Sequence, residues 1–241
     1  MRLNKFISQC GVGSRRESDK LIKSATVTVN GNVELNPAYN VIDGDKIKVD
    51  EQQVSLQKKK RFIILNKPSG YITTLKDPLK RKTIMELVNT DERLFPVGRL
   101  DKDTTGLLLL TNVGDIANIL MHPKNKIKRI YKVEIDKIFK NYEIKRMASK
   151  VYIGQKEWGR VEVLSQKRIR GRVIVDLSLH QGKKREIRRV MFRMKRKVFS
   201  LQRIKFGPIE LGNLPIGQWR ELSSTENQLL NNIKLINSSR A

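Results

Sequence analysis

Four consecutive leucines, Leu107 to Leu110, constrain this chain more than any other stretch. They follow a polar segment, Pro96 to Gly106 (PVGRLDKDTTG), and end at Thr111-Asn112. A short unbroken apolar run has no solvent face, so it belongs in a core. A buried strand suits it, and periodicity alone leaves a helix open. Either way, the loop before it is anchored at one end by rigid structure. Asp101 lies in that loop two residues from Arg99, placed for chemistry or for a structural ion pair. On residue type alone the ion pair is the commoner outcome.

Charge narrows the partner. The 241 residues carry 50 Lys and Arg against 24 Asp and Glu, a net charge of +26. Such a surplus says little about fold but predicts strong attraction to polyanions. Between residues 123 and 205 there are 27 Lys and Arg against 7 Asp and Glu, so most of the positive field lies there. No apolar run reaches the length of a membrane span, and MRLNKFISQC lacks a signal-peptide core. Nucleic acid is therefore the expected polyanion, with no membrane partner. The single cysteine, Cys10, permits no internal disulfide, which fits a reducing cytoplasm. His122 and His180 are far from Cys10 and from each other, so no metal site is expected.

Residues 1–51 read as a compact unit. Leu3, Phe6 and Ile7 make a helical apolar stripe that Gly11 and Gly13 terminate. Ser14 and Glu17 have the spacing of a capping box, opening a second helix. That helix turns Leu21 and Ile22 inward and Arg15, Arg16, Lys20 and Lys23 outward. Thr26 to Val29 alternates as a strand into the tight-turn signal Asn30-Gly31, and Asp45 to Asp50 alternates again. Residues 52–60 are polar, without apolar periodicity, and end in a basic run that reaches Arg61. They read as a linker.

The second domain, 61–241, opens with the apolar run Phe62 to Leu65 and the turn Asn66-Lys67-Pro68-Ser69-Gly70, where Lys67 is placed to meet phosphate. A short helix is expected over Arg81 to Leu87, and another from Asn112 to His122. Lys128 to Ile135 alternates as a strand, with Tyr131, Val133 and Ile135 on one face. Residues 172–179 form a second such strand. Gly182 then turns the chain into a basic helix carrying Lys183, Lys184, Arg185, Ile187 and Arg188. Val198 to Ile209 reads as a strand, Thr225 to Ile236 as a terminal helix, and 237–241 as a frayed end. The basic stretch Lys167 to Arg172 reads as an insertion with no evident purpose.

Several of these strings resemble one family. GRLDKDTTGLLLLTN is similar to the catalytic-loop signature of bacterial ribosomal-RNA pseudouridine synthases of the RsuA type. LNKPSGYITT resembles their first motif, Arg129-Ile130-Tyr131-Lys132-Val133 their R-x-Y-x-V motif, and Gly182 to Arg188 their third. RLNKFISQCGVGSRRESDKLIKSATVTVNG resembles the alpha-L RNA-binding module of a small-subunit ribosomal protein. The combination resembles the branch acting on single sites in bacterial ribosomal RNA, in the large subunit, with small-subunit specificity left open because the pocket motifs are shared.

The resemblance implies an α+β chain: an alpha-L module, a linker, and a synthase domain with a mixed, mostly antiparallel sheet crossed by the catalytic cleft. It implies cofactor-free isomerisation of uridine to pseudouridine by a monomer acting on ribosomal RNA or a subunit assembly intermediate. By resemblance Asp101 is the catalytic carboxylate, attacking C1′ or taking a sugar proton. Arg188 pairs with it, Tyr131 contacts the base, Ile187 lines the pocket and Arg99 intrudes near the vacated stack. Arg15, Arg16, Lys20, Lys67, Lys183, Lys184 and Arg185 are expected to bind RNA. The alternative is a non-catalytic RNA-binding assembly factor, which needs only the module and the basic surface.

Overall fold

The structure is a computed structural model that describes residues 1–57 and 59–238. The chain separates into two compact units. One comprises Met1–Arg61 with Thr90–Leu94 and Asn112–Gly114; the other comprises Phe62–Asn89, Phe95–Thr111 and Asp115–Ala241.

The first unit packs helices α1 (Leu3–Gln9) and α2 (Arg15–Lys23) on a small antiparallel sheet. Its strands are β1 (Val27–Val29), β2 (Asn32–Val33), β3 (Ile47–Val49) and β4 (Gln52–Gln53), in the order β2-β1-β3-β4. The capping box forms: Ser14 Oγ accepts from Glu17 N–H at 3.1 Å, and the Glu17 carboxylate accepts from Ser14 N–H at 2.6 Å. Asn30 and Gly31 both take positive φ, which matches the turn to the twist of the strands it joins. Leu3, Ile7, Ile22, Val27, Val29, Ile47 and Val49 fill the core, leaving Arg15, Arg16 and Lys20 exposed. Strand pairing runs past residue 51, because Gln52 and Gln53 pair with Val49 and Lys48. Further along the expected linker, the Asn112 side chain donates to Gln57 Oε1 and the Lys59 carbonyl and accepts from Arg61 N–H.

The second unit is built on a nine-stranded sheet. Its elements are β5 (Phe62–Lys67), β6 (Phe95–Pro96), β7 (Thr105–Thr111), α3 (Gly114–Met121), β8 (Arg129–Ile135) and α4 (Asn141–Ser149). The hairpin β9 (Val151–Gly154) and β10 (Glu157–Gly159) follows, then β11 (Glu162–Ile169), β12 (Arg172–Leu179), α5 (Glu186–Arg193), β13 (Val198–Phe206), β14 (Ile209–Glu210), β15 (Trp219–Glu221) and α6 (Ser224–Ser238). The path is β11-β12-β8-β13-β7-β5-β15, with β14 on β13 and β6 on β7. Among the described strands of this sheet, only β7 and β13 pair in parallel. The leucine run is therefore a central strand, flanked by β5 and β13, with every leucine buried.

One sheet face carries Val133, Ile135, Val173, Val175 and Leu177 against Met147 of α4 and Ile187, Val190 and Met191 of α5. Arg196 clamps this layer, donating to both Glu143 carboxylate oxygens at 2.7 and 2.8 Å with each side chain 10% exposed. Residues 167–172 are the tip of the β11–β12 hairpin, where Arg170 and Gly171 take positive φ. Strand β11 ends the sheet, so Lys167, Arg168 and Arg170 put charge on an edge otherwise open to pairing with another chain.

Three expectations shift in detail. Over Arg81 to Leu87 only one 3₁₀ turn forms, Ile84–Glu86, fastened by Thr83 N–H donating to the Glu86 carboxylate at 2.7 Å. The strand from Val198 is interrupted at Gly207, whose positive φ turns β13 back into β14. The terminal helix runs Ser224–Ser238, and residues 239–241 of the expected frayed end lie outside the described residues.

Candidate active site

A pocket of about 550 Å³ opens where the loop before β7 meets the N-terminal end of α5. Its wall includes Arg99, Asp101 and Thr104 from the loop, Tyr131 from β8, Leu179 from the end of β12 and Leu201 from β13. Residues Gly182 to Arg188 complete it. Asp101, Arg99, Tyr131, Ile187 and Arg188, far apart in sequence, thus share one cavity, together with Lys183, Lys184 and Arg185.

The Asp101 loop is held from below by the turn after β5. Lys67 is fully buried, and its ammonium donates to the carbonyls of Pro68, Asp101, Lys102 and Thr104 at 3.0, 3.1, 3.3 and 2.9 Å. Burial pushes the Lys67 amine down from 10.5 to about 8, while Asp101 and Asp103 pull it back up. A lysine consumed by four backbone carbonyls has no reach to a phosphate. The expected RNA contact at Lys67 is thereby corrected to an internal brace. Thr73, not singled out from the sequence, adds to the brace. Its hydroxyl donates to the Leu100 carbonyl at 2.9 Å and accepts from Leu100 N–H at 3.2 Å. Gly70 N–H donates to the Lys102 carbonyl at 2.9 Å. Nothing in an N-K-P-S-G string alone shows that its lysine points inward.

The exit from the loop depends on Gly106. Its φ is +99°, and an added Cβ would lie 2.3 Å from the Arg203 carbonyl oxygen and 2.8 Å from Arg203 N. Only glycine lets β7 approach β13 so closely. Leu107 also accepts a 2.7 Å hydrogen bond from buried Arg203 Nε, which fixes the strand immediately after the turn.

The guanidinium nearest the Asp101 carboxylate belongs to Arg185, not Arg188. Arg185 Nη1 stands 3.8 Å from Asp101 Oδ2 and 3.6 Å from Asp103 Oδ2. Arg185 precedes the first turn of α5 with φ +52°, ψ +34°, and from there its side chain reaches the loop. Arg188 sits one turn into the helix and donates instead to the Asp103 backbone carbonyl at 2.9 Å. Burial lowers the Arg188 pKa, with Arg185 beside it acting the same way and Asp103 and Asp101 opposing. The basic residue expected against Asp101 is thus displaced by three positions.

Tyr131 packs on the central core while lining the pocket, presenting a half-buried ring to whatever enters. Ile187 is 4% exposed and gives the pocket an apolar wall. Arg99 is exposed along the same wall. A carboxylate, a ring, an apolar wall and several guanidinium groups suit an anionic substrate with a planar, partly apolar base.

Comparison with known proteins gives this arrangement its class. The RNA pseudouridylate synthase family model matches residues 61–192, and the S4 domain model matches residues 1–54. The chain belongs to the RNA pseudouridylate synthase family: it is a pseudouridine synthase, an intramolecular isomerase, with an N-terminal RNA-binding S4 domain. More particularly, it is a member of the RsuA family. It is 34% identical over 228 residues to the ribosomal large subunit pseudouridine synthase B of Bacillus subtilis, covering 93% of each chain. It is also 34% identical over 241 residues to the dual-specificity RNA pseudouridine synthase RluF of Escherichia coli K12, covering 99% of this chain and 80% of that one. A crystal structure of a pseudouridylate synthase matches with a TM-score of 0.67 and 26% identity over 95% of this chain and 99% of the other. Among the described residues, no helix is long and apolar enough to cross a membrane.

Proposed function

We propose that this enzyme isomerises a single uridine in ribosomal RNA, in the large subunit, with Asp101 as its catalytic carboxylate. The observation that carries the reading is the convergence of Asp101, Tyr131, Ile187 and Arg188 on one pocket. The likeness to a large-subunit synthase supports the choice of RNA.

A uracil cannot turn over inside a stacked helix, so the target nucleotide is flipped into the pocket. The uracil lies between the Tyr131 ring and the Ile187 wall, and the sugar faces Asp101. The carboxylate either adds to C1′ or removes a sugar proton; one placement serves both routes. The N1–C1′ bond breaks, the uracil rotates, and C5 bonds to C1′ as the carboxylate leaves that carbon or gives the sugar proton back. The C5 proton then leaves with help from the Tyr131 hydroxyl, N1 gains a proton, and the product is an isomer of the substrate. Arg185 holds the Asp101 carboxylate, and Arg188 ties the loop to α5. Arg99 fills the stack that the flipped base vacates. Lys183 and Lys184 at the pocket, and Arg15, Arg16 and Lys20 on α2, hold phosphates, with affinity falling as salt rises. The enzyme works as a monomer, on free ribosomal RNA or on an assembling subunit.

The test is to incubate the purified protein with unmodified large-subunit RNA, small-subunit RNA, immature subunits and transfer RNA, then map pseudouridine by position. One new pseudouridine in large-subunit RNA is expected. Modification confined to small-subunit or transfer RNA would replace the substrate, and modification scattered over many uridines would remove the single-site claim.

A further inference from the structure

Beyond the pocket, the hairpin β9–β10 displays two large aromatic side chains to solvent. Tyr152 and Trp158 are 42% and 45% exposed, facing each other edge to face with ring centroids 5.3 Å apart. Strand alternation sends their neighbours Val151, Ile153 and Gly159 into the core while these two rings point out. The register shift between Glu157 and Trp158 brings Trp158 directly opposite Tyr152. Each ring carries a cation: Lys150 Nζ lies 4.6 Å from the Trp158 ring centroid, and the Arg193 guanidinium 5.5 Å from that of Tyr152.

This hairpin is fastened to the helix that builds the pocket. Arg189 of α5 donates to the carbonyls of Ile153 and Gly154 at 2.9 and 2.8 Å. Gly159 packs so close that a Cβ there would meet Val190 at 2.8 Å. The buried Glu186 carboxylate accepts from Arg160 N–H at 3.2 Å and Lys183 N–H at 3.0 Å, stapling the end of β10 to the start of α5. Lys183 lines the pocket, and its ammonium donates to the Trp158 carbonyl at 2.6 Å. Aromatic pair and pocket are therefore joined through α5 by packing and hydrogen bonds.

We propose that Tyr152 and Trp158 form a stacking platform for an unpaired base of the RNA substrate, flanking the flipped uridine, with Lys150 and Arg193 holding its phosphates. Exposed aromatic rings beside cations are the chemistry that binds single-stranded nucleic acid, because every base has a π-face and every linkage a charge. An apolar partner would not need the cations, and a fully paired duplex would hide the bases. Location near the pocket rests on the reading of the Asp101 cavity; base stacking itself does not.

The test reads binding without turnover. In a Trp219→Phe background Trp158 is the sole tryptophan. Titration with an RNA hairpin bearing unpaired purines should quench its fluorescence, and a fully paired duplex should quench it far less. Tyr152→Ala/Trp158→Ala should weaken hairpin binding about tenfold and raise KM with kcat unchanged. Trp158→Phe, which keeps a ring, should retain most of the affinity. Absence of quenching with unchanged affinity in the double alanine variant would overturn the proposal. So would weakening by Lys150→Ala/Arg193→Ala but not by loss of the rings, which marks a purely electrostatic surface. Failure of the Asp101 assignment alone would leave the quenching intact.

Discussion

The Lys67 ammonium donates to the backbone carbonyl of Asp101 at 3.1 Å, so the residue proposed for catalysis is held through its main chain by a buried charge. Three further carbonyls of the same region share that ammonium. The Asp101 backbone is thus anchored while its side chain lines the pocket beside Arg185.

Lys67→Met tests the brace. It keeps the aliphatic volume but leaves four carbonyls without their donor, which should cost about 3 kcal/mol of stability. Denaturant unfolding should show the loss, and kcat should fall more than KM changes. Unchanged unfolding and turnover would remove the brace from the account.

The same lysine sets a pH dependence. Its folded pKa of about 8 lies below the ordinary 10.5 because of burial. Between those values the unfolded chain binds more protons than the folded one, so this group's contribution to stability rises with pH across that window. Turnover should move the other way, since a neutral amine offers only two N–H groups to four carbonyls. An alkaline fall in kcat near pH 8 is expected. Lys67→Arg, which stays charged, should lift that fall to higher pH if the variant folds.

Arg185→Ala distinguishes the two arginines. Its ion pairs with Asp101 and Asp103 are long and partly exposed, so stability should change by less than about 1 kcal/mol. Turnover on saturating RNA should nonetheless fall about tenfold, as the carboxylate loses its nearest positive charge. Normal kcat in this variant would return the pairing role to Arg188.

Gly106→Ala should be among the most damaging single methyl additions. The new Cβ meets backbone atoms of Arg203, which have no rotamer to escape into, at a φ that side chains rarely adopt. A loss of about 3 kcal/mol is expected, measurable as a lowered Tm. A Tm equal to wild type would mean that β7 and β13 are not in this close backbone contact.

Much of this was legible in the chain because local signals agreed with tertiary ones. Ser14 with Glu17, Asn30 with Gly31, and the run Leu107 to Leu110 each carry their structure in neighbouring residues. The convergence of Asp101, Tyr131 and Ile187 followed from motif resemblance, not from periodicity. The direction of long side chains was not legible. Lys67 turns inward because carbonyls 34 to 37 residues away face it, and Arg185 overtakes Arg188 because a left-handed residue starts the helix. Tyr152 and Trp158 were silent too, since an alternating hairpin says which residues share a face but not which face meets solvent.

The most direct test is tritium release from ribosomal RNA labelled at uridine C5, comparing wild type with Asp101→Asn. Release should follow addition of wild type, while the variant binds the RNA with similar affinity and releases none. Full release by Asp101→Asn would contradict the assignment of the chemistry to this carboxylate.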